Sequence, residues 1–242
     1  MLAITPWVHE MQAREHLIIA LDVADLKDAI ALVEATRDSC QTYKFGLELF
    51  CSFGQRGVEK IRAMGVDIFL DLKLHDIPNT VASALKQVLP LAPKFVTVHA
   101  SGGQAMLMAA GDAVQNSKTK LLAVTVLTHH STAELKALGL FDNPAQIAKR
   151  WLAPVKNHPA FGAVCSPHEA ASLRKFGGQG FSLVCPGVRP ANSEINDQTR
   201  IATPRETLHS GADYLVIGRP ITRAANPNLA ARAVINEMVS QK

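Results

Sequence analysis

Short apolar runs alternate regularly with segments of helical period along this chain of 242 residues. Eight runs rich in β-branched residues occur at residues 16–21, 42–49, 67–72, 95–99, 121–127, 161–165, 181–184 and 214–217. The helix-like segments that follow them cover residues 26–40, 57–64, 80–91, 103–114, 132–156, 167–176, 203–210 and 228–239. This repeat of a strand and then a helix predicts parallel strands joined by crossover helices.

Two α/β architectures accommodate such a repeat, an open doubly wound sheet and a closed barrel. No glycine-rich fingerprint follows the first apolar run, although open sheets that bind dinucleotides carry one at that place. No linker or low-complexity stretch divides the chain. We therefore predict an α/β fold in which residues 1–242 form one single-domain (β/α)8 TIM barrel. Its active site should lie at the C-terminal ends of the strands.

The composition argues against several other classes of protein. The chain has 25 Lys+Arg and 21 Asp+Glu, a net charge of +4, and no basic run typical of a nucleic-acid site or a membrane-anchoring patch. No apolar run reaches the roughly 18 residues of a transmembrane helix, and the N-terminal residues do not resemble a signal peptide. The four cysteines form no C-x-x-C pair. We expect a cytoplasmic protein that binds neither nucleic acid nor membrane.

Charged residues cluster where the predicted strands end. Asp71 and Lys73 are two apart on the third strand, so regular alternation directs both side chains to the same face. Asp76 follows three residues later, while Asp22 ends the first strand and Lys44 lies within the second. A single acid–base pair there could be a structural ion pair. The convergence of several charges on one end of a barrel instead favours a catalytic site.

The carboxylates around Lys73 define what that lysine can do. They favour its charged form, so Lys73 should remain an ammonium at neutral pH. A Schiff-base lysine must be neutral to attack a carbonyl, so this role is disfavoured. An ammonium group suits the stabilisation of a developing negative charge, followed by donation of a proton.

The last two loops contain a pattern that indicates phosphate binding. Gly187 and Arg189 follow the seventh strand, and Gly218 and Arg219 follow the eighth. Phosphate groups in barrels often bind at these two loops, where glycines admit backbone N–H groups and arginine offers a bidentate fork. Gln198, in the long seventh loop, could add an amide donor. Either Gly-Arg pair alone would fit a solvated turn.

Five segments together resemble the orotidine 5′-phosphate decarboxylase family. Residues 71–81, Asp-Leu-Lys-Leu-His-Asp-Ile-Pro-Asn-Thr-Val, resemble the family signature D-x-K-x-x-D-I-x-x-T. The other segments are Leu-Asp-Val at 21–23, Lys-Phe-Gly at 44–46, Cys-Pro-Gly-Val-Arg-Pro at 185–190 with Asp-Gln at 197–198, and Val-Ile-Gly-Arg-Pro at 216–220. The first motif is shared with a wider superfamily of barrels, whereas the combination is specific.

The resemblance implies decarboxylation of orotidine 5′-monophosphate to UMP, the last step of pyrimidine nucleotide synthesis, with neither metal nor organic cofactor. It also implies a homodimer in which Asp76 and Thr80 reach the neighbouring site. The catalytic residues that it implies are Lys73 as the proton donor to pyrimidine C6, flanked by Asp71 and Asp76, with Lys44 completing the charge network. The substrate-binding residues that it implies are Asp22, Lys44, Asp71, Thr80, Thr128, Arg189, Gln198, Gly218 and Arg219.

Two other functions remain open from the sequence. A sibling barrel enzyme would act on a sugar phosphate through Mg²⁺ and an enediolate, and it would share the D-x-K-x-x-D motif. Lys44 at the mouth of the barrel is unfavourable for a metal, which favours the metal-free enzyme. A non-catalytic nucleotide binder would need the two arginine loops but not the cluster of Asp71, Lys73 and Asp76. The His129-His130 pair does not indicate a metal site, because adjacent strand residues point apart.

Overall fold

The computed structural model describes residues 13–127, 130–190 and 202–240, and its strands form a closed parallel barrel. The strands are β1 (Leu17–Ala20), β2 (Thr42–Gly46), β3 (Asp67–Leu74), β4 (Phe95–His99), β5 (Lys120–Val124), β6 (Phe161–Val164), β7 (Ser182–Pro186) and β8 (Tyr214–Ile217). Neighbours in sequence pair with each other, and β8 closes onto β1 with Ile18 opposite Val216. The predicted (β/α)8 barrel is confirmed.

Helices follow every strand, and the last two come after β8. They are α1 (Leu26–Thr36), α2 (Leu47–Arg62), α3 (Pro78–Val88), α4 (Gly103–Val114), α5 (Thr132–Ala137), α6 (Pro144–Leu152), α7 (Pro167–Gly177), α8 (Pro204–His209), α9 (Arg219–Thr222) and α10 (Pro227–Val239). Many begin with a proline in the first turn, where its missing N–H would have no helical partner. Across the described ranges, no helix combines the length and apolar character needed to cross a bilayer.

Alternation along the strands divides the core into two layers. The barrel interior holds a small apolar cluster, Ile18, Ala20, Phe69, Phe95, Leu122, Val184 and Val216. The alternate strand residues, such as Leu17, Ile19, Leu70 and Leu72, pack in a larger cluster with buried helix residues. Polar side chains that continue the interior rows beyond the apolar cluster therefore emerge at the ends of the barrel.

Several boundaries differ from the predictions, and the largest differences concern the junction of β2 with α2 and the segment 132–156. The second strand ends at Gly46, not at residue 49, and α2 begins at once instead of at residue 57. A short apolar run fits a strand or a buried helical turn equally well. Gly54, with φ = 56° and ψ = −149°, also interrupts the helix and hides its period. The predicted helix-rich segment 132–156 is divided into α5 and α6, because Pro144 starts a new helix capped by Asn143.

Candidate active site

Four charged side chains form a continuous array at the C-terminal ends of β1, β2 and β3. Lys44 Nζ lies 2.9 Å from Asp22 Oδ1 and 3.5 Å from Asp71 Oδ2. Lys73 Nζ lies 2.8 Å from the other oxygen of Asp71, Oδ1. Acids and lysines therefore alternate, and Asp71 is shared by two ammonium groups. We call Asp22, Lys44, Asp71 and Lys73 the Asp/Lys array.

The register of the first three strands brings these residues together. Ala20 pairs with Lys44 across β1 and β2, and Gly46 pairs with Asp71 across β2 and β3. Asp22 lies two residues beyond Ala20, so it continues the same interior row. The close approach at this point also depends on Gly46, because a Cβ there would lie 3.2 Å from Lys44 Nζ. Gly46 belongs to the Lys-Phe-Gly segment at 44–46, but no role was predicted for it.

Burial and ion pairing shift the pKa values at the centre of the array. Burial alone would lower the pKa of Lys44, but the charges of Asp71 and Asp22 outweigh it, so the pKa is raised. Burial would likewise raise the pKa of Asp71, and the nearby Lys44 and Lys73 charges instead lower it. Both groups therefore remain ionised at neutral pH. The side chains of Lys44 and Asp71 are each only 13% exposed, so this central pair of the array holds full charges in a largely desolvated place, whereas Asp22 is 58% and Lys73 34% exposed.

Lys73 reaches the array through an irregular backbone. The pairing between β3 and β4 shifts register between Leu70 and Leu74, and Lys73 has a φ of 48°. Regular alternation therefore does not hold at Lys73, although it was the basis for placing Lys73 and Asp71 on one face. The two side chains still meet, because the bulge directs Lys73 back to Asp71. Non-glycine residues seldom adopt this conformation, and when they do, they cluster at functional sites.

Asp76 and Thr80 do not join the array within this chain. Both side chains are exposed, in the loop after β3 and in the first turn of α3 respectively. Asp76 Oδ1 accepts a hydrogen bond of 2.7 Å from the backbone N–H of Ile77. Among the described residues, Asp76 makes no ion pair with Lys73.

Three members of the Asp/Lys array face a cavity of about 440 Å³ that the last two loops also line. Asp22, Lys44 and Asp71 line one side of this cavity. The rest of the wall includes Pro186, Gly187, Val188, Arg189, Gly218, Arg219 and Arg223. We call it the arginine cavity. Asp22, Lys44 and Asp71 therefore share one space with the predicted phosphate loops, and Lys73 is joined to this wall through its ion pair with Asp71.

The two loops present their cations differently. Arg189 is buried, and its backbone N–H donates a 3.0 Å hydrogen bond to Ala202 O across the loop. Gly187 precedes it with φ = 80°, a conformation that favours glycine. Arg219 begins α9, and Gly218 precedes it as the N-cap. Arg223, for which no role was predicted, is the C-cap of α9, and it lines the cavity together with Arg219.

Two predicted contact residues, Thr128 and Gln198, lie outside the described residues. His129, the first member of the histidine pair, does as well. Within the described part of the chain, no group of three His, Cys, Asp or Glu side chains is arranged to hold a metal ion.

A second cavity of about 410 Å³ lies beyond β3, β4 and β5 and is largely apolar. His75 and His99 contribute to its wall, and their rings stack with centroids 5.2 Å apart. Burial, followed by the nearby His75, Lys73 and His130, lowers the pKa of His99 to about 4. His99 is therefore neutral at physiological pH, and its Nδ1 lies 2.6 Å from the hydroxyl of Ser101.

The arginine cavity and the Asp/Lys array together can bind an anion and stabilise a negative charge. Arginine side chains around Gly187 and Gly218 suit a phosphate group. Lys73 is an ammonium group held in place by Asp71, and its side chain is 34% exposed, so a bound molecule can contact it. A fixed cation of this kind stabilises a charge that forms beside it without a reorganisation of the protein.

Comparisons with known proteins agree with these features. The family model described as "Orotidine 5'-phosphate decarboxylase / HUMPS family" matches residues 15–234. The chain is 45% identical over 218 residues to the orotidine 5′-phosphate decarboxylase of Sphingopyxis alaskensis, covering 90% of this chain and 96% of that protein. It is 44% identical over 224 residues to that of Saccharophagus degradans, covering 92% and 94% respectively. The crystal structure of the Lactobacillus acidophilus enzyme matches with a TM-score of 0.81 and 34% identity, covering 93% of this chain and 100% of that one.

Proposed function

Because the chain belongs to the orotidine 5′-phosphate decarboxylase / HUMPS family, we propose that it converts orotidine 5′-monophosphate into UMP and CO2. It is then a cytoplasmic carboxy-lyase that performs the last step of de novo pyrimidine nucleotide synthesis, and residues 1–242 form its single catalytic domain. The observation that carries this proposal is that Asp22, Lys44 and Asp71 line the arginine cavity while Asp71 also holds the ammonium group of Lys73.

The reaction needs electrostatic stabilisation more than any other aid. When the bond between C6 and the carboxylate breaks, CO2 leaves and the electron pair stays on C6 in the plane of the ring. The π system cannot delocalise a pair in that plane. An enzyme without an organic electron sink must therefore place a positive charge beside C6.

Lys73 supplies that charge and then the proton. Its ammonium group is held 2.8 Å from Asp71 Oδ1, so it is oriented before the substrate binds. As CO2 departs, the N–H bond of Lys73 breaks, the proton bonds to C6, and Lys73 is left as a neutral amine that takes a new proton from water. Asp71 stays ionised throughout, because Lys44 continues to neutralise it.

The loops after β7 and β8 hold the rest of the nucleotide. Arg189, Arg219 and the backbone at Gly218 bind the 5′-phosphate, and Asp22 and Lys44 bind ribose hydroxyls. Gln198 and Thr128 complete the contacts to phosphate and pyrimidine. Binding energy from the phosphate, remote from C6, holds the ring against Lys73.

We assign Asp76 and Thr80 to the active site of a second subunit in a homodimer. Their exposure, and the exposure of 66% at Ile77 between them, supports this assignment. Mixing the variants Lys73→Ala and Asp76→Ala tests it. If each is inactive alone, random exchange of subunits should restore about a quarter of the wild-type sites, because one site of every hybrid dimer is intact. No recovery after demonstrated subunit exchange would place Asp76 in its own chain's site.

A metal-dependent reaction on a sugar phosphate is the alternative within this family. The position of Lys44 supports the metal-free reaction, because its ammonium group already occupies the space between the carboxylates of Asp22 and Asp71. The decisive assay mixes the purified protein with orotidine 5′-monophosphate and EDTA and follows the pyrimidine absorbance. Turnover that EDTA leaves unchanged supports the proposal. Activity that EDTA abolishes and Mg²⁺ restores would favour the alternative.

A further inference from the structure

The bulge of β3 at Lys73 is held by a single residue of the neighbouring strand. Leu70 pairs with Val96 and Leu74 with Val98, so residues 71–73 of β3 all lie opposite Thr97 of β4. Because three residues face one, the usual ladder of backbone hydrogen bonds cannot continue across this stretch. Any partner for the backbone of Lys73 must come from elsewhere.

The side chain of Thr97 provides that partner and links both catalytic residues. The backbone N–H of Lys73 donates a hydrogen bond of 2.8 Å to Thr97 Oγ1. The hydroxyl of Thr97 in turn donates a hydrogen bond of 3.1 Å to Asp71 Oδ1, the oxygen that also binds Lys73 Nζ. One hydroxyl therefore fixes the strained backbone of Lys73 and the carboxylate that orients its side chain.

The burial of Thr97 leaves its hydroxyl few other hydrogen-bond partners. Thr97 is fully buried and lies on the interior row of β4, between Phe95 and His99. A hydroxyl has one hydrogen to donate, and here that hydrogen goes to a carboxylate that cannot donate one itself. Without the hydroxyl, the N–H of Lys73 would lose its acceptor, and the left-handed conformation of Lys73 would lose a support.

We propose that Thr97 is a positioning residue that sets the location of the Lys73 ammonium by clamping the β3 bulge to Asp71. The proposal rests on the proposed decarboxylase function and adds a residue to it. Thr97 acts through Asp71 and Lys73 and does not touch the substrate. Loss of its hydroxyl should therefore reduce the rate of the chemical step while leaving nucleotide binding in place.

The test compares Thr97→Val, which keeps the shape of the side chain, with Thr97→Ser, which keeps the hydroxyl. We expect Thr97→Val to lower kcat for orotidine 5′-monophosphate by about 10- to 100-fold, the scale of a small misplacement of a catalytic group. Its KM and its affinity for UMP should stay within about twofold of wild type, as expected of a residue outside the binding contacts. Thr97→Ser should recover most of kcat.

Thr42→Val is the matched control. Thr42 is also a buried barrel threonine, but it lies at the start of β2, at the opposite end of the barrel, where its hydroxyl accepts from Lys94 Nζ at 3.3 Å. This variant loses a hydroxyl of the same kind and should lose stability without losing kcat. An equal loss of kcat in Thr42→Val and Thr97→Val would indicate a general effect of destabilisation and overturn the proposal.

The remaining outcomes distinguish a failure of the proposed decarboxylase function from a failure of the role of Thr97. A wild-type protein without turnover would refute the proposed function itself. An active wild type whose Thr97→Val variant keeps kcat within twofold would refute the role of Thr97 alone. If Thr97→Val does not fold, the rate of hydrogen exchange at the Lys73 amide of the wild type tests the hydrogen bond to Thr97 instead. Slow exchange supports the clamp, and exchange as fast as that of an exposed loop amide overturns it.

Discussion

The barrel carries charged clusters at both ends, and their surroundings differ. At the N-terminal end, Lys94 Nζ lies 3.1 Å from Asp67 Oδ2 and 3.3 Å from the hydroxyl of Thr42. The same ammonium group lies 5.7 Å and 5.5 Å from the ring centroids of Phe95 and Tyr214. At the C-terminal end, the Asp/Lys array has no aromatic ring over its lysines among the described contacts, and three of its members line the arginine cavity.

The comparison shows that a lysine and an aspartate in a barrel are not by themselves evidence of catalysis. The Lys94–Asp67 pair is 29% and 43% exposed, and aromatic rings cover its cation, so it costs little and completes the packing. Lys44 and Asp71 are each 13% exposed and belong to a network of four charges. The central pair of this network is expensive to desolvate, and its position beside an open, arginine-lined cavity is what distinguishes a site for chemistry.

The largest expected effect of a substitution is at Lys73. Lys73→Ala removes the cation at the C-terminal end that we propose as the proton donor, so turnover should fall by about 10²- to 10⁴-fold or more, the scale of general acid catalysis. UMP should still bind, as calorimetry would show, because the proposed phosphate contacts of Arg189 and Arg219 are unchanged. Turnover close to wild type would remove Lys73 from the mechanism.

The next largest effect is expected in the arginine cavity. Arg219→Ala should weaken UMP binding by about 1.5–3 kcal/mol, the scale of a hydrogen bond to a charged group. Affinity for uridine, which has no phosphate, should change little. Arg223→Ala should have a smaller effect, because Arg223 is exposed, and Arg232→Ala on the exposed face of α10 is the control. Equal affinities for UMP in wild type and Arg219→Ala would place the phosphate elsewhere.

A smaller effect is expected at the N-terminal end. Asp67→Asn should lower the free energy of unfolding by about 0–1 kcal/mol, as for other exposed ion pairs, and leave kcat unchanged. Urea denaturation and the decarboxylation assay measure the two quantities. A strong loss of kcat in a fully folded Asp67→Asn protein would show that the two ends of the barrel are coupled. The Lys94–Asp67 pair could then not be regarded as purely structural.

The smallest expected effect is the pH dependence of the stability difference between wild type and Asp71→Asn. This difference in unfolding free energy should stay constant over most of the pH range. The lowered pKa of Asp71 means that its ionised form stabilises the fold above the unfolded value of about 3.9, and that this contribution is lost as pH falls through the folded pKa. The difference in unfolding free energy between wild type and Asp71→Asn should therefore stay constant from about pH 5 to 8 and shrink below about pH 4. A difference that changes near pH 6–7 would contradict the lowered pKa.

Much of the site was predictable because its signals are local. Interior alternation and short charged motifs pointed to Asp22, Lys44, Asp71 and Lys73, and the structure brings all four together. The loops containing Arg189 and Arg219 were predicted from glycine and arginine at the ends of two strands, and both residues line the cavity. The end of β2 was mispredicted, because residues 47–49 satisfy both a strand and a helical pattern.

The amino-acid sequence by itself determined the barrel and the identity of its charged residues, since strand period, helix period and turn residues are properties of neighbouring positions. Only the tertiary structure decided that three residues of β3 face Thr97, that Lys73 adopts φ = 48°, and that Arg223 reaches the cavity. These features depend on the pairing of strands and loops that are distant in the chain. Their energies come from contacts that form only when the barrel closes.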